Sequence, residues 1–246
     1  MMDFIVPNWP APKNVRAFTT LRSGGMSEAP YDSFNLADHV GDHEKFVTAN
    51  RQLLREKLQL PNEPVWLEQT HSTCVLSAEL TTGDNKADAS FTNQANQVCA
   101  ILTADCLPVL LCDRLGTQVA AIHAGWRGLL NGIIEKTLER MQVPSQDILV
   151  WLGPAIGPRV YELGEEVRQQ FLEKEAEAEA AFVPSHRKGH WLGNLYDLAR
   201  LRLQKHNVSA IYGGEYCTYS DKARFFSYRR DGDKTGRMAS LIWIAS

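Results

Sequence analysis

Val98-Cys99-Ala100-Ile101-Leu102-Thr103 and Pro108-Val109-Leu110-Leu111-Cys112 are two nearly unbroken apolar runs, parted by Ala104-Asp105-Cys106-Leu107. Short apolar runs bounded by a polar break read as strands buried on both faces, since a solvated face would impose alternation. A third run, Thr117–His123, follows at once and is broken by Ala124-Gly125. Strands this close together leave no room for intervening helices, so a mixed sheet fits better than a regular doubly wound fold.

Outward from this centre the elements alternate more loosely. Toward the N-terminus, Val15–Thr20 reads as a strand, Arg22-Ser23-Gly24-Gly25 as a turn, and Phe46, Val47, Asn50, Leu53, Leu54 and Leu58 recur at helical spacing over about 44–58. Val65–Gln69 reads as a strand running into Thr70-His71-Ser72. Toward the C-terminus, Leu129, Leu130, Ile133, Ile134, Leu138 and Met141 form one helical stripe to about Arg140, and Ile148–Leu152 is a strand stopped by Gly153-Pro154. Gly164–Ala181 reads as an acidic helix with a solvated Glu/Ala face, Leu195–Lys205 as another helix, and Ala210–Tyr212 and Ala239–Ile244 as strands. The expectation is a single α/β domain over residues 1–246, a mixed β-sheet layered with helices.

With 26 basic and 29 acidic side chains, the net charge of −3 speaks against a nucleic-acid protein. The stretch Met1–Pro10 carries Asp3, Asn8 and two prolines, unlike a secretory signal, and no apolar stretch approaches the roughly 20 residues that span a bilayer. Cys74, Cys99, Cys106, Cys112 and Cys217 are odd in number and in no CxxC spacing, so free thiols are expected. A cytoplasmic protein with no nucleic-acid or membrane partner fits these numbers; a small-molecule substrate and a monomer are further expectations that composition does not itself carry.

His71 and His123 each follow or end a strand, and Cys106 sits in the connection between two others. Imidazole nitrogen and thiolate sulfur suit Zn²⁺ or Cu²⁺, and ligands from distant segments resemble a catalytic site with an open position. A core Cys106 and two hydrogen-bonded loop histidines would fit the same spacing. In His123-Ala124-Gly125-Trp126-Arg127-Gly128, two glycines and an arginine stand where a strand turns into a helix, a possible anion site at a helix start or simply a glycine turn with a surface arginine. The segment 225–237 holds Arg229, Arg230, Lys234 and Arg237, a second anion loop or a solvated hairpin. No P-loop and no GxGxxG follows a strand.

Taken together, Glu68-Gln69-Thr70-His71-Ser72, Thr103-Ala104-Asp105-Cys106-Leu107-Pro108, His123–Gly128, Gly153-Pro154-Ala155-Ile156-Gly157-Pro158 and Phe226-Ser227-Tyr228-Arg229-Arg230-Asp231 resemble the YfiH family, also called the laccase-domain, polyphenol oxidase or peptidoglycan-editing-factor family. Thr20-Leu21-Arg22-Ser23-Gly24-Gly25 and Phe34–Asp42 fit its N-terminal pattern, while His43 stands where the family more often has an acid. The resemblance runs from about Thr19 to the C-terminus.

The resemblance implies an α/β sandwich, similar to cytotoxic necrotizing factor catalytic domains, and one metal on His71, Cys106 and His123, usually zinc. It further implies phosphorolysis of adenosine, inosine and methylthioadenosine, and hydrolytic deamination of adenosine. Arg127, Arg229 and Arg230 are the expected phosphate and substrate contacts. The laccase label fits poorly, because multicopper oxidation uses many histidines, often as His-x-His pairs, and this chain has seven with no such pair. A single copper in the same site, with polyphenol oxidation as a side activity, remains open. So does a Cys106 nucleophile activated by His123, which would suit a hydrolase or amidase acting on a cytoplasmic peptidoglycan precursor.

Overall fold

The computed structural model describes residues 4–79, 83 and 85–246; Met1 to Asp3, the start of the N-terminal stretch considered above, lie outside the described residues. In chain order, the first part comprises β1 (Phe4–Ile5), β2 (Val15–Thr20), α1 (Glu44–Leu58), β3 (Val75–Ser77) and β4 (Ala89–Thr92). The centre comprises β5 (Val98–Thr103), β6 (Leu107–Asp113), β7 (Val119–Ala124), α2 (Trp126–Asn131), α3 (Ile133–Met141) and β8 (Ile148–Leu152). The last part comprises β9 (Glu162–Gly164), α4 (Glu165–Lys174), β10 (Phe182–Pro184), β11 (His190–Gly193), α5 (Leu195–Lys205), β12 (Ala210–Gly213), α6 (Tyr228–Asp231) and β13 (Met238–Ile244).

A four-stranded antiparallel sheet runs in the order β1-β2-β13-β5, and a six-stranded mixed sheet in the order β12-β8-β6-β7-β4-β3. A small sheet, β10-β11-β9, flanks them. The continuous apolar runs now have a cause, since alternate residues serve two different cores. Val98, Ala100 and Leu102 pack with Leu54, Phe34 and Trp243 on the α1 side, while Cys99 and Ile101 meet Leu110, Cys112 and Trp151 between the sheets. In the same way Val109, Leu111, Ile122 and Val150 face the helices α2 to α5, and their neighbours face inward. The result is a helix, two sheets and a helical layer, in which both sheets are covered on both faces.

The connection Ala104-Asp105-Cys106 is therefore a crossing and not a hairpin: β5 pairs with β13, whereas β6 pairs with β7 and β8. Other expectations shift for identifiable reasons. Val65–Gln69 forms only isolated bridges, Val65 to Cys99 and Glu68 to Lys86, and the Gln69 side chain both donates to and accepts from the Leu102 backbone at 2.7 Å. Thr117 and Gln118 turn inward onto Asp113 before β7 begins. The helical stripe after Gly128 divides at Gly132, whose φ of +93° closes α2. The acidic helix ends at Lys174, because Glu175 is not solvated: it is buried and ion-paired to Lys205 at 2.6 Å and Arg202 at 3.5 Å. No helix among the described residues is long and apolar enough to cross a membrane.

Candidate metal centre and active site

His71 follows the pinned Gln69 and takes a left-handed backbone, φ +59°, uncommon for a residue with a side chain. Asp88 explains how it is held. Its fully buried carboxylate accepts the backbone N–H groups of Thr70 (3.2 Å), His71 (3.0 Å) and Ser72 (2.6 Å), and the Ser72 hydroxyl (2.7 Å). The same carboxylate lies 2.8 Å from Nδ1 of His123, and its main-chain oxygen accepts the His123 N–H at 2.7 Å. With Nδ1 engaged, Nε2 is the His123 atom left for a ligand or for Cys106. Burial opposes ionisation of Asp88, but hydrogen bonds from His123 and Ser72 outweigh it and hold its pKa down at about 2. Burial likewise opposes a charged His123, yet Cys106 and Asp88 push it up to about 9. A divalent cation would take the place of that proton.

Cys106 is positioned by a second buried carboxylate. Asp105, at φ +94°, accepts the Thr218 hydroxyl at 2.6 Å, the Ser227 hydroxyl at 3.0 Å and the Arg229 N–H at 2.6 Å. These contacts fasten the crossing to the C-terminal segment. The His71 and His123 rings stand 4.8 Å apart between centroids, and the three ligand atoms of His71, Cys106 and His123 all lie within 4.8 Å of one another. Among the described residues this is the one group of three or more His, Cys, Asp or Glu side chains placed to hold a metal. Bonds of about 2.0–2.3 Å require the side chains to draw in only slightly. Gly125 permits the cluster: a Cβ there would sit 2.8 Å from His71 Nδ1 and 3.1 Å from Cys106 Sγ. The donor set, the carboxylate behind His123 and this glycine cradle all fit a metal.

The cluster opens into a cavity of about 400 Å³, within the range of small-molecule sites, with Trp126, Ile156, Tyr161 and Leu163 among its walls. A larger polar depression of about 670 Å³ over α1 is edged by Arg55 and Glu63, which pair with each other at 3.2 Å, and it holds none of the chemistry.

The expected anion residues separate. Arg229 lines the cavity, donates to the Glu162 carbonyl at 2.7 Å and lies over the Tyr161 ring. Arg127 is exposed with its guanidinium stacked on Trp126, and it is not among the lining residues, although its charge helps lower the His71 pKa behind burial and His123. The helix it begins, α2, is only six residues long. Arg230 is committed to the carbonyls of Thr218, Tyr219 and Phe225 and to Asp231, so it braces the loop. That loop is no hairpin: Ser227 caps the short α6 by accepting the Arg230 N–H. Asp88, Asp105, Gln69, Tyr161 and the cavity position of Arg237 escaped the sequence reading. A lone acid between Ala87 and Ala89 at a strand start, and another beside Cys106, were the available signals.

Comparisons with known proteins place the chain in a family. The sequence profile of the family described as "multi-copper polyphenol oxidoreductase laccase" matches residues 16–245. A Pseudomonas aeruginosa protein named purine nucleoside phosphorylase is 51% identical over 244 residues, covering 99% of each chain. The Escherichia coli protein named purine nucleoside phosphorylase YfiH is 50% identical over 248 residues, covering 99% of this chain and 100% of its own. Among solved structures, a Neisseria meningitidis protein of the family DUF152 superposes with a TM-score of 0.94 at 46% identity, covering 99% of both chains. YlmD from Geobacillus stearothermophilus superposes with a TM-score of 0.87 at 29% identity, covering 99% of this chain and 96% of that one. Similarity over the whole length and on the same fold makes the chain a member of the YfiH family of laccase-domain proteins.

Proposed function

We propose that the chain is a single cytoplasmic catalytic domain, a zinc-dependent purine nucleoside phosphorylase that also deaminates adenosine. The carrying observation is one cavity with the His71–Cys106–His123 cluster on one side and unpaired guanidinium charge on another. The names of the Pseudomonas and Escherichia relatives support the same reading. A divalent ion on these three side chains would supply Lewis acidity beside the reacting bond. The chain supplies the rest: Trp126 and Tyr161 offer aromatic walls to a purine, and the cationic side offers a seat for phosphate. In phosphorolysis a phosphate oxygen bonds to C1′ of the ribose, the C1′–N bond breaks, and the purine leaves with a proton on nitrogen. Burial pushes the Tyr161 phenol well up, so it stays a hydrogen-bond donor at neutral pH.

The test is release of base from adenosine, inosine and methylthioadenosine by zinc-loaded protein with and without phosphate. Release that ignores phosphate concentration would sink phosphorolysis and leave hydrolysis. Copper in the same ligand set would support phenol oxidation as a side reaction, and loading with either ion separates the two.

A specific contact favours one competitor. Cys106, His123 and Asp88 also have the order of a nucleophile, a base and an orienting acid, which suits a Cys–His hydrolase of the cytotoxic necrotizing factor type acting on a peptidoglycan precursor. His71, close against both and held by the same Asp88, has no task in that scheme and one in metal binding.

A further inference from the structure

The basic residues that precede β13 are not equivalent. Arg230 is committed to carbonyls and to Asp231, Lys234 is exposed, and Arg229 spans from Tyr161 to the Glu162 carbonyl. Arg237 differs from all of them. It is half-buried in the cavity wall, and its Nη1 donates at 2.7 and 3.1 Å to the carbonyls of Thr235 and Gly236 in its own loop. Among the described residues no carboxylate comes within 4.0 Å of it, and its Nε and Nη2 have no protein acceptor. Burial works against this charge, while the charges of Cys106 and Asp105 favour it. Asp105 does not neutralise it directly, being occupied by Thr218, Ser227 and the Arg229 N–H. A guanidinium left this way is rigid, partly desolvated and short of an anion.

We propose that Arg237 is the oxyanion seat of the cavity and takes inorganic phosphate. The identity of the anion rests on the phosphorylase reading; the existence of the seat rests on the geometry alone. The free edge of the guanidinium presents parallel donors to two phosphate oxygens. Arg127, exposed on the outside of Trp126, then has no part in holding phosphate.

Metal-loaded, full-length protein titrated calorimetrically with phosphate tests this. Arg237→Gln should weaken binding about ten- to a hundredfold, as expected for loss of charge-assisted hydrogen bonds. Arg237→Lys should recover part of the loss by keeping the charge. Lys234→Ala should change nothing. A measurement on the wild-type chain guards against misfolded variants: saturating phosphate should slow phenylglyoxal modification of Arg237, mapped by peptide mass. No saturable phosphate binding, no protection of Arg237, or a larger loss from Arg127→Ala than from Arg237→Gln would each overturn the assignment. Phosphate held at Arg237 without phosphate-dependent base release would leave the seat standing and remove phosphorolysis. Phosphate-dependent release untouched by Arg237→Gln would do the reverse.

Discussion

Asp88 and Asp105 are both buried carboxylates beside the same cluster, yet they join different things. Asp88 gathers donors from Thr70 to Ser72, a short loop 16 to 18 positions away, and from His123 on the strand paired with β4. It sets the geometry of the cluster directly, touching the backbone of His71 and the ring of His123. Asp105 gathers donors 113 to 124 positions away, at Thr218, Ser227 and Arg229. It fastens the C-terminal segment as a wall of the cavity and reaches the His-Cys-His cluster only through its neighbour Cys106. The His-Cys-His cluster and the cavity wall are thus built by separate devices, and each can be broken without the other.

Asp88→Ala should have the largest effect. It leaves the His123 ring and the Thr70–Ser72 N–H groups without their acceptor, and should lower unfolding free energy by about 3–5 kcal/mol. Metal affinity should fall about 10- to 100-fold, read by elemental analysis after dialysis. Asp105→Ala should cost about 2–3 kcal/mol in the same denaturant titration while most of the metal stays. Its main symptom should be a raised KM for nucleoside. A greater metal loss from Asp105→Ala than from Asp88→Ala would break the comparison.

Gly125→Ala sharpens it, because both aspartate networks stay intact while a methyl presses on His71 and Cys106. A cost of about 1–3 kcal/mol with clear loss of metal is expected. Retained metal would show that the cluster can shift as a unit.

The smallest effects concern the thiols. Burial pushes both Cys99 and Cys112 up to about 12. At pH 8 about one molecule in ten thousand carries the thiolate at either site, and that share rises about tenfold per pH unit. Both should stay unlabelled by an alkylating reagent in native protein, whereas exposed Cys74 reacts first. Cys106 should react slowly in metal-loaded protein and faster once a chelator has removed the ion. Fast labelling of Cys106 with metal in place would favour the nucleophile.

The sandwich was legible where chemistry repeats. Apolar runs buried on both faces named β5, β6 and β8, and helix α5 falls where its spacing places it, with Asn194 accepting the Tyr196 and Asp197 N–H groups. Local patterns could not show that β5 and β6 belong to different sheets, because the break at Ala104–Cys106 would look the same in a hairpin. The three candidate ligands were readable from residue type and position at strand ends. Asp105 and Arg237 were not, since their value depends on partners more than a hundred residues away or on the absence of any. Arg230 and Arg237 look alike in sequence and differ only in where folding leaves their donors.

The crossing between the sheets has a further consequence. His123 stands on β7 of the six-stranded sheet, His71 follows a segment clipped to β5 of the four-stranded sheet through Gln69, and Cys106 lies on the strap between them. An ion held by all three would act as a clasp across the two layers, so its retention becomes a gauge of their alignment. A substitution deep in the inter-sheet core, far from any substrate, would be read out first as a leaking metal and only later as an unfolded chain.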